Sequence, residues 1–187
     1  MRWNISQGKF GNSVCIKTMT ILIAGGTGFI GHALCRELSL KGHEVALISR
    51  CPGAGTFTWK EIENEGLPNC DAVINLAGAP LTGAKWTKGY RELLLSSRIN
   101  TTLTLIKAIE RSPAPPKVLL NASAVGYYPP DPDRIYTEND LIVNGNFLNQ
   151  LVRDWESAAT LPSYPNKLNN WDLDRVKAPG FDDLNQP

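Results

Sequence analysis

Four glycines fall within seven residues directly after an apolar run: Ile21-Leu22-Ile23-Ala24 leads into Gly25-Gly26-Thr27-Gly28-Phe29-Ile30-Gly31. Glycine lets a backbone approach another group closely, and the unpaired N–H groups at a helix start point at an anion. A buried strand, a tight turn and a helix N-terminus in that order suit a diphosphate. Gly26, Gly28 and Gly31 have the G-x-G-x-x-G spacing that holds a dinucleotide's pyrophosphate. The bland alternative is a plain strand–helix turn. A second candidate lies at the end of the next apolar run, where Ser49-Arg50 stands roughly twenty residues past the glycines. An acid at that point binds the ribose 2′-hydroxyl of NAD, and an Arg accepts the 2′-phosphate of NADP. The chain has no acid there, and a guanidinium can pair a phosphate through two parallel bonds. NADP(H) is therefore the expected cofactor, against a solvated Arg at a strand end.

Two further apolar runs end in small or polar residues. Asp71-Ala72-Val73-Ile74-Asn75-Leu76-Ala77-Gly78 and Lys117-Val118-Leu119-Leu120-Asn121-Ala122-Ser123 both read as buried strands. Small side chains at the carboxyl end of a strand leave room for a ligand, which is where open α/β sheets bind one. Close packing against a helix would use them equally well.

The elements needed to carry these residues can be read from periodicity. The first strand covers about 20–24. A helix from Gly28 to Leu40 puts Ile30, Leu34 and Leu38 on one face, and Gly42 stops it in the manner of a left-handed C-terminal glycine. The second strand is Glu44–Ser49. Thr56–Trp59 reads as a short third strand, followed by a polar loop or short helix to Pro68. A long helix is expected from Thr87 to Arg111, with an apolar stripe through Leu95, Ile99, Leu103 or Thr102, Ile106 and Ile109. Pro113, Pro115 and Pro116 end it. A last helix spans about Asn146 to Ala159. Strand–helix alternation of this kind predicts an α/β fold, a Rossmann-like doubly wound parallel sheet.

Composition narrows the function classes. The chain has 187 residues, 42% hydrophobic and 20% charged, with a net charge of +1, which suits one folded domain with a sizeable core. No long run of one sign argues for nucleic acid or an anionic membrane surface. No apolar stretch approaches the length of a membrane span. Cys15, Cys35, Cys51 and Cys70 are widely spaced, and with only His32 and His43 present no metal cluster is expected. Reduced thiols point to the cytoplasm. His43, in a helix-to-strand connection, is expected to be solvated. Residues 1–18 are basic and free of acids, and are expected to be a disordered extension, with a mitochondrial targeting segment as the alternative. Residues 19–162 are expected to form the folded domain. Residues 163–187, rich in Asn, Asp and Pro, are expected to be an irregular tail.

The motifs together carry a resemblance. Thr20–Gly31 (which also fits G-x-x-G-x-x-G from Gly25), Ser49-Arg50, Asn75-Leu76-Ala77-Gly78, Ser97-Arg98-Ile99-Asn100-Thr101-Thr102, Ser123-Ala124-Val125-Gly126-Tyr127-Tyr128 and Trp155-Glu156-Ser157-Ala158-Ala159 occur in this order. The chain resembles the atypical extended short-chain dehydrogenases/reductases called epimerase family proteins, which are sugar-nucleotide-epimerase-like. The resemblance runs from about Met19 to Pro162. It implies an NADP-binding Rossmann domain with Thr27, Gly28, Phe29 and Ile30 at the pyrophosphate and Ser49 and Arg50 at the adenosine phosphate. It also implies that Leu76 and Ala77, with Gly78 after them, lie beside the cofactor and that Arg98 faces the cofactor cleft. Extended members often pair through helices such as 87–111, so a homodimer is an expectation.

The chain departs from that family pattern in two ways. Extended reductases and epimerases usually pair Ser or Thr with a Tyr-x-x-x-Lys on the helix after strand five, where Lys lowers the Tyr pKa. The matching helix here reads Asn146-Phe147-Leu148-Asn149-Gln150-Leu151-Val152-Arg153. Ser123 remains as a candidate catalytic group, with Tyr128 as a candidate acid whose other reading is packing on the sheet end. The family also continues past Trp155-Glu156 with another strand, helices and a substrate lobe. The chain is thus expected to be a truncated form, with an uncovered sheet edge and exposed apolar faces. Three readings follow: an NADP-dependent oxidoreductase or epimerase acting on a small molecule, a non-catalytic NADP-binding module, and an inactive truncated product.

Overall fold

The computed structural model describes residues 17–82, 84–128, 131, 133–137, 140 and 146–160. The expectations for residues 1–16 and for the 163–187 tail lie outside the described residues. Among the described residues, five strands and four helices follow one another from Thr20 to Ala158: β1 Thr20–Ala24, α1 Phe29–Leu40, β2 Glu44–Ser49, β3 Thr56–Thr58, α2 Trp59–Glu65, β4 Ala72–Asn75, α3 Lys88–Glu110, β5 Val118–Asn121 and α4 Phe147–Ala158. A 3-10 turn, Val125–Tyr127, lies between the last two. All neighbouring strands are parallel, in the order β3-β2-β1-β4-β5. The chain moves outward from β1 to β3, then crosses to the other side of β1 and moves outward again. The carboxyl ends of β1 and β4 thus flank the point where strand order reverses, the usual ligand crevice of such sheets. This is the doubly wound parallel sheet that the alternation predicts.

β1 is covered on both faces, and Ile21, Leu22, Ile23 and Ala24 are all buried. On one face Leu22, Ala24, Ile48 and Val73 meet Ile62 of α2 and Leu105, Ile106 and Ile109 of α3. On the other face Ile21, Ile23 and Ile74 meet Leu34 and Leu38 of α1. Val118 and Leu120 of β5 lie on that second face and are only half-buried, because the one described helix against it, α1, sits over β1 and β2. Burial of a Leu or Ile side chain stabilises by roughly 1.5–3 kcal/mol, so the doubly covered centre of the sheet holds the fold. Among the described residues, no helix is long and apolar enough to cross a membrane.

Several boundaries differ from the sequence reading, each for a physical reason. Ile30 is 49% exposed and leaves the α1 stripe; Gly31, Leu34, Cys35 and Leu38 form the inner face instead. Gly42 does end α1 at φ +82°, with His43 N–H donating to Leu38 O at 3.1 Å. His43 is half-buried rather than solvated, its Nδ1 accepting from the Met19 amide at 3.3 Å. Trp59 belongs to α2 and not to β3, because the Thr58 hydroxyl and the Glu61 carboxylate cap each other's backbone amides and turn the strand into a helix. Those bonds from the Thr58 amide and hydroxyl hold the Glu61 carboxyl below its ordinary range.

The largest difference is the rotation of α3. Its buried face is Leu94, Arg98, Thr102, Leu105, Ile106, Ala108 and Ile109: Ile106 and Ile109 of the expected stripe lie on it, Thr102 and not Leu103 takes the position left open, and Leu95 and Ile99 are only half-buried beside it. Two polar residues hold inward positions because each has partners there. Thr102 Oγ1 accepts from Asn75 Nδ2 at 2.9 Å and from Trp155 Nε1 at 3.1 Å. Replacing Thr102 with Val would keep the shape and leave the buried Trp155 N–H without its acceptor. Thr102→Val should therefore lower unfolding stability by about 1–3 kcal/mol in urea denaturation, while Thr102→Ser stays close to the wild type.

Candidate dinucleotide site

The site starts with a turn that only glycine can make. Gly25 has φ +79°, and a Cβ placed on it would stand 2.6 Å from Leu76 O. A Cβ on Gly26 would collide with the Leu47 side chain, and one on Gly31 would collide with Gly25 O and the Gly26 Cα. The first glycine thus brings the turn against β4, the second against β2, and the third seats α1 on the turn. Gly28 N–H donates to Gly25 O at 3.0 Å and closes it.

α1 begins with its donors open. Gly28 is the N-cap and has no side chain to accept from the first amides, and the first helical turn carries no acid. His32 N–H to Gly28 O, at 2.8 Å, is the first bond of the helix, so the amides before it have no helical acceptor. The dipole and these amides favour an anion at the turn. Phe29 is 91% exposed beside it. Thr27, Gly28, Phe29, His32, Ala33 and Arg36 line an open groove of about 400 Å³ down the outer flank of α1. Ser49 and Arg50 follow at the end of β2. Arg50 is exposed, and no other described residue pairs with it.

Across the switch point, the chain after β4 is tied down at every step. Asn75 Oδ1 accepts from the Ala77 amide at 3.2 Å, which ends the strand before Leu76, earlier than the apolar run suggests. The Ser97 hydroxyl accepts from Ala79 N–H at 2.9 Å, and Arg98 donates to Ala79 O at 3.0 Å and to Leu94 O at 3.2 Å. Tyr90 Oη donates to Pro80 O at 2.6 Å, and Trp86 Nε1 donates to Leu81 O at 2.9 Å. The loop bearing Leu76, Ala77 and Gly78 is thus held against α3. A Cβ on Gly78 would stand 2.9 Å from Arg98 Cζ, so any side chain there would displace the guanidinium from its place against the loop. Arg98 itself is 8% exposed, lies over the Trp155 ring at 5.3 Å, and has no carboxylate partner among the described residues. Burial lowers its pKa, although an Arg stays charged.

The end of β5 lies next to this loop, because Asn75 and Asn121 are register partners and Asn75 Nδ2 donates to Asn121 Oδ1 at 2.6 Å. Ser123, two residues on, donates from Oγ to Glu156 Oε1 of α4 at 2.5 Å. Asn149 of α4 donates to Gly126 O at 2.9 Å and Tyr127 O at 2.6 Å, fixing the 3-10 turn. Tyr128 faces the following loop: its Oη donates to Thr137 O at 3.1 Å and its ring stacks on Tyr136 at 5.0 Å.

The structure therefore brings Gly25, Thr27, Gly28, Leu76, Ala77, Gly78 and Ser123 to the carboxyl edge of β1, β4 and β5. It puts Ser49 and Arg50 at the same edge one strand over, and Arg98 beneath the β4 loop. Asn75, Asn121, Thr102, Asn149 and Glu156 escaped the sequence reading as positioning groups. The one available signal was the recurrence of Asn at matching strand ends.

A parallel sheet with a glycine turn at its switch point defines a Rossmann-type dinucleotide fold. The family model for the NAD dependent epimerase/dehydratase family matches residues 21–147, and the chain belongs to that family. It is 43% identical over 146 residues to the epimerase family protein SDR39U1 of Homo sapiens, covering 77% of this chain and 50% of the relative. It is 39% identical over 146 residues to the epimerase family protein SSP1921 of Staphylococcus saprophyticus, covering 74% and 48%. Its fold matches the crystal structure of human SDR39U1 (isoform2) with NADPH at a TM-score of 0.75 and 44% identity, over 77% of this chain and 50% of that one. The chain spans about half the length of the curated relatives it matches.

The Gly25–Leu76 approach yields a direct test of the turn. Gly25→Ala should strain the backbone and push β4 away, lowering stability by roughly 1–3 kcal/mol. Gly28→Ala, where φ is −79° and a Cβ meets Gly25 O at 3.3 Å, should be clearly milder in the same denaturation assay.

Proposed function

We propose that this chain binds NADP(H) at the glycine turn and takes part in hydride chemistry on a small carbonyl or alcohol substrate, as a reductase or a sugar-nucleotide epimerase. The observation that carries the reading is the cradle left by Gly25, Gly26 and Gly31 under an uncapped, acid-free helix start. The fit to the group is chemical: open amides and a dipole for the diphosphate, and Ser49 with an unpaired Arg50 for the adenosine phosphate. Leu76, Ala77 and Gly78 would lie along the cofactor. Arg98 would hold their loop in place from below. When bound, the nicotinamide supplies or accepts the hydride. Support also comes from the NADPH in the human relative's crystal structure, which is a statement about that protein.

A second reading, a non-catalytic NADP-binding module, is favoured by the absence of a Tyr-x-x-x-Lys pair on α4. The two share the cofactor step, so that step is tested first. Titration should give tighter binding of NADPH than of NADH. Arg50→Glu should weaken NADPH at least about tenfold, the loss of one charge-assisted phosphate pair, and leave NADH little changed. Equal NADPH affinity in the variant would remove Arg50 from the site.

A further inference from the structure

The α4 helix lacks the usual Tyr and Lys, yet it does send one ionisable side chain to the strand end where the chemistry would occur. Glu156 Oε1 accepts from Ser123 Oγ at 2.5 Å, within the range of a charge-assisted O–H···O⁻ bond. Both residues are half-buried. We propose that Ser123 and Glu156 form a proton-exchanging pair, with Ser123 touching the substrate oxygen and Glu156 acting through it. This deepens, and rests on, the hydride reading above.

Three features hold Glu156 in place. Trp155, its neighbour, is buried with Nε1 bonded to Thr102 of α3. Asn149, two helical turns earlier, is bonded to the carbonyls of Gly126 and Tyr127. Asn146 caps the helix, its side chain accepting from the Leu148 and Asn149 amides. The helix is therefore fixed at its first turn and again beside the acid itself. On the other side, the Asn75–Asn121 pair fixes the β5 end two residues before Ser123.

The chemistry follows from the donor inventory. A serine hydroxyl has one proton and two lone pairs, and here the proton is committed to a carboxylate. The lone pairs remain for an incoming hydroxyl. In the oxidative direction the substrate O–H proton passes to Ser123 Oγ while Ser123 gives its own proton to Glu156. The C–H bond electrons leave carbon as the hydride that a nicotinamide dinucleotide accepts, and the substrate becomes a carbonyl. Glu156 then releases its proton to water. Carbonyl reduction reverses each transfer and consumes one proton. Serine alone could not do this near neutral pH, because it would have no acceptor for its proton.

A tie that merely fastens α4 to β5 would share the geometry and differ in the outcome of a substitution. Glu156→Gln keeps a carbonyl oxygen to accept from Ser123 but cannot carry a proton. With the full chain, NADPH and 9,10-phenanthrenequinone as the carbonyl probe, Glu156→Gln should lower turnover by about 100-fold or more, the scale of general acid–base catalysis. Its Tm and NADPH affinity should stay at wild-type values, and Glu156→Asp should restore part of the rate. Ser123→Ala should fall equally, and the double variant should fall no further, since the two act as a unit. In the protein without cofactor, the Glu156 carboxyl carbon resonance should move on Ser123→Ala. An unmoved resonance, a Glu156→Gln rate within threefold of wild type, or a rate loss tracked by a loss of Tm overturns the proposal. So does a wild-type chain that binds NADPH and does not turn over the quinone. Failure of the wild type to bind NADPH removes the cofactor reading as well.

Discussion

One close approach governs the rest of this structure: the Gly25 backbone lies against the carbonyl of Leu76, at a distance where no side chain fits. That contact fixes the spacing of β1 and β4 at their carboxyl ends, where strand order reverses. It also sets the height of the turn above the sheet, and with it the start of α1. Gly31 completes the arrangement from the helix side. The uncapped amides of α1 have their orientation because the turn beneath them has no room for another.

The opposite wall of the crevice is built from polar rather than apolar contacts. Asn75, Asn121, Thr102 and Trp155 form one buried network that joins β4, β5, α3 and α4. Every member has its partners, and among the described residues no buried side-chain polar atom is left unpaired. A network satisfied in this way orients its elements more sharply than apolar packing, since a shift of either helix would break bonds that water cannot replace. Arg98 extends the same principle, with its guanidinium bonded to two carbonyls and spread over an indole ring. Its charge is tolerated under the β4 loop because two of its donors meet carbonyl oxygens and its plane lies over the Trp155 ring.

The two faces of the sheet are unequal. The face under α2 and α3 has a dense core, whereas the face under α1 leaves Val118 and Leu120 half-buried. Among the described residues the crevice between β1 and β4 is walled on both sides, and no second helix covers β5 on the α1 face. Binding of a nucleotide and closure over a substrate are separable tasks in such a fold. In folds of this class a diphosphate is met by backbone donors at the first strand, while a substrate must be enclosed by side chains farther along the edge.

Local order along the chain was enough to determine the strands, the glycine turn, the helix stops and the parallel sheet. Apolar runs, glycine spacing and prolines act through nearest neighbours, and so they can be read without the fold. The family followed from the order of the same short motifs. The register of α3 was decided only in three dimensions. Hydrophobic periodicity picked Leu95 and Ile99 and left Leu103 or Thr102 open, whereas the buried positions went to Leu94, Arg98 and Thr102; the cost of burying the two polar ones is offset by partners up to 53 residues away. The same holds for Ser123 and Glu156, which lie 33 residues apart in sequence. A polar side chain in a sequence looks solvent-facing until its partner is known, and here the partners come from other strands and helices.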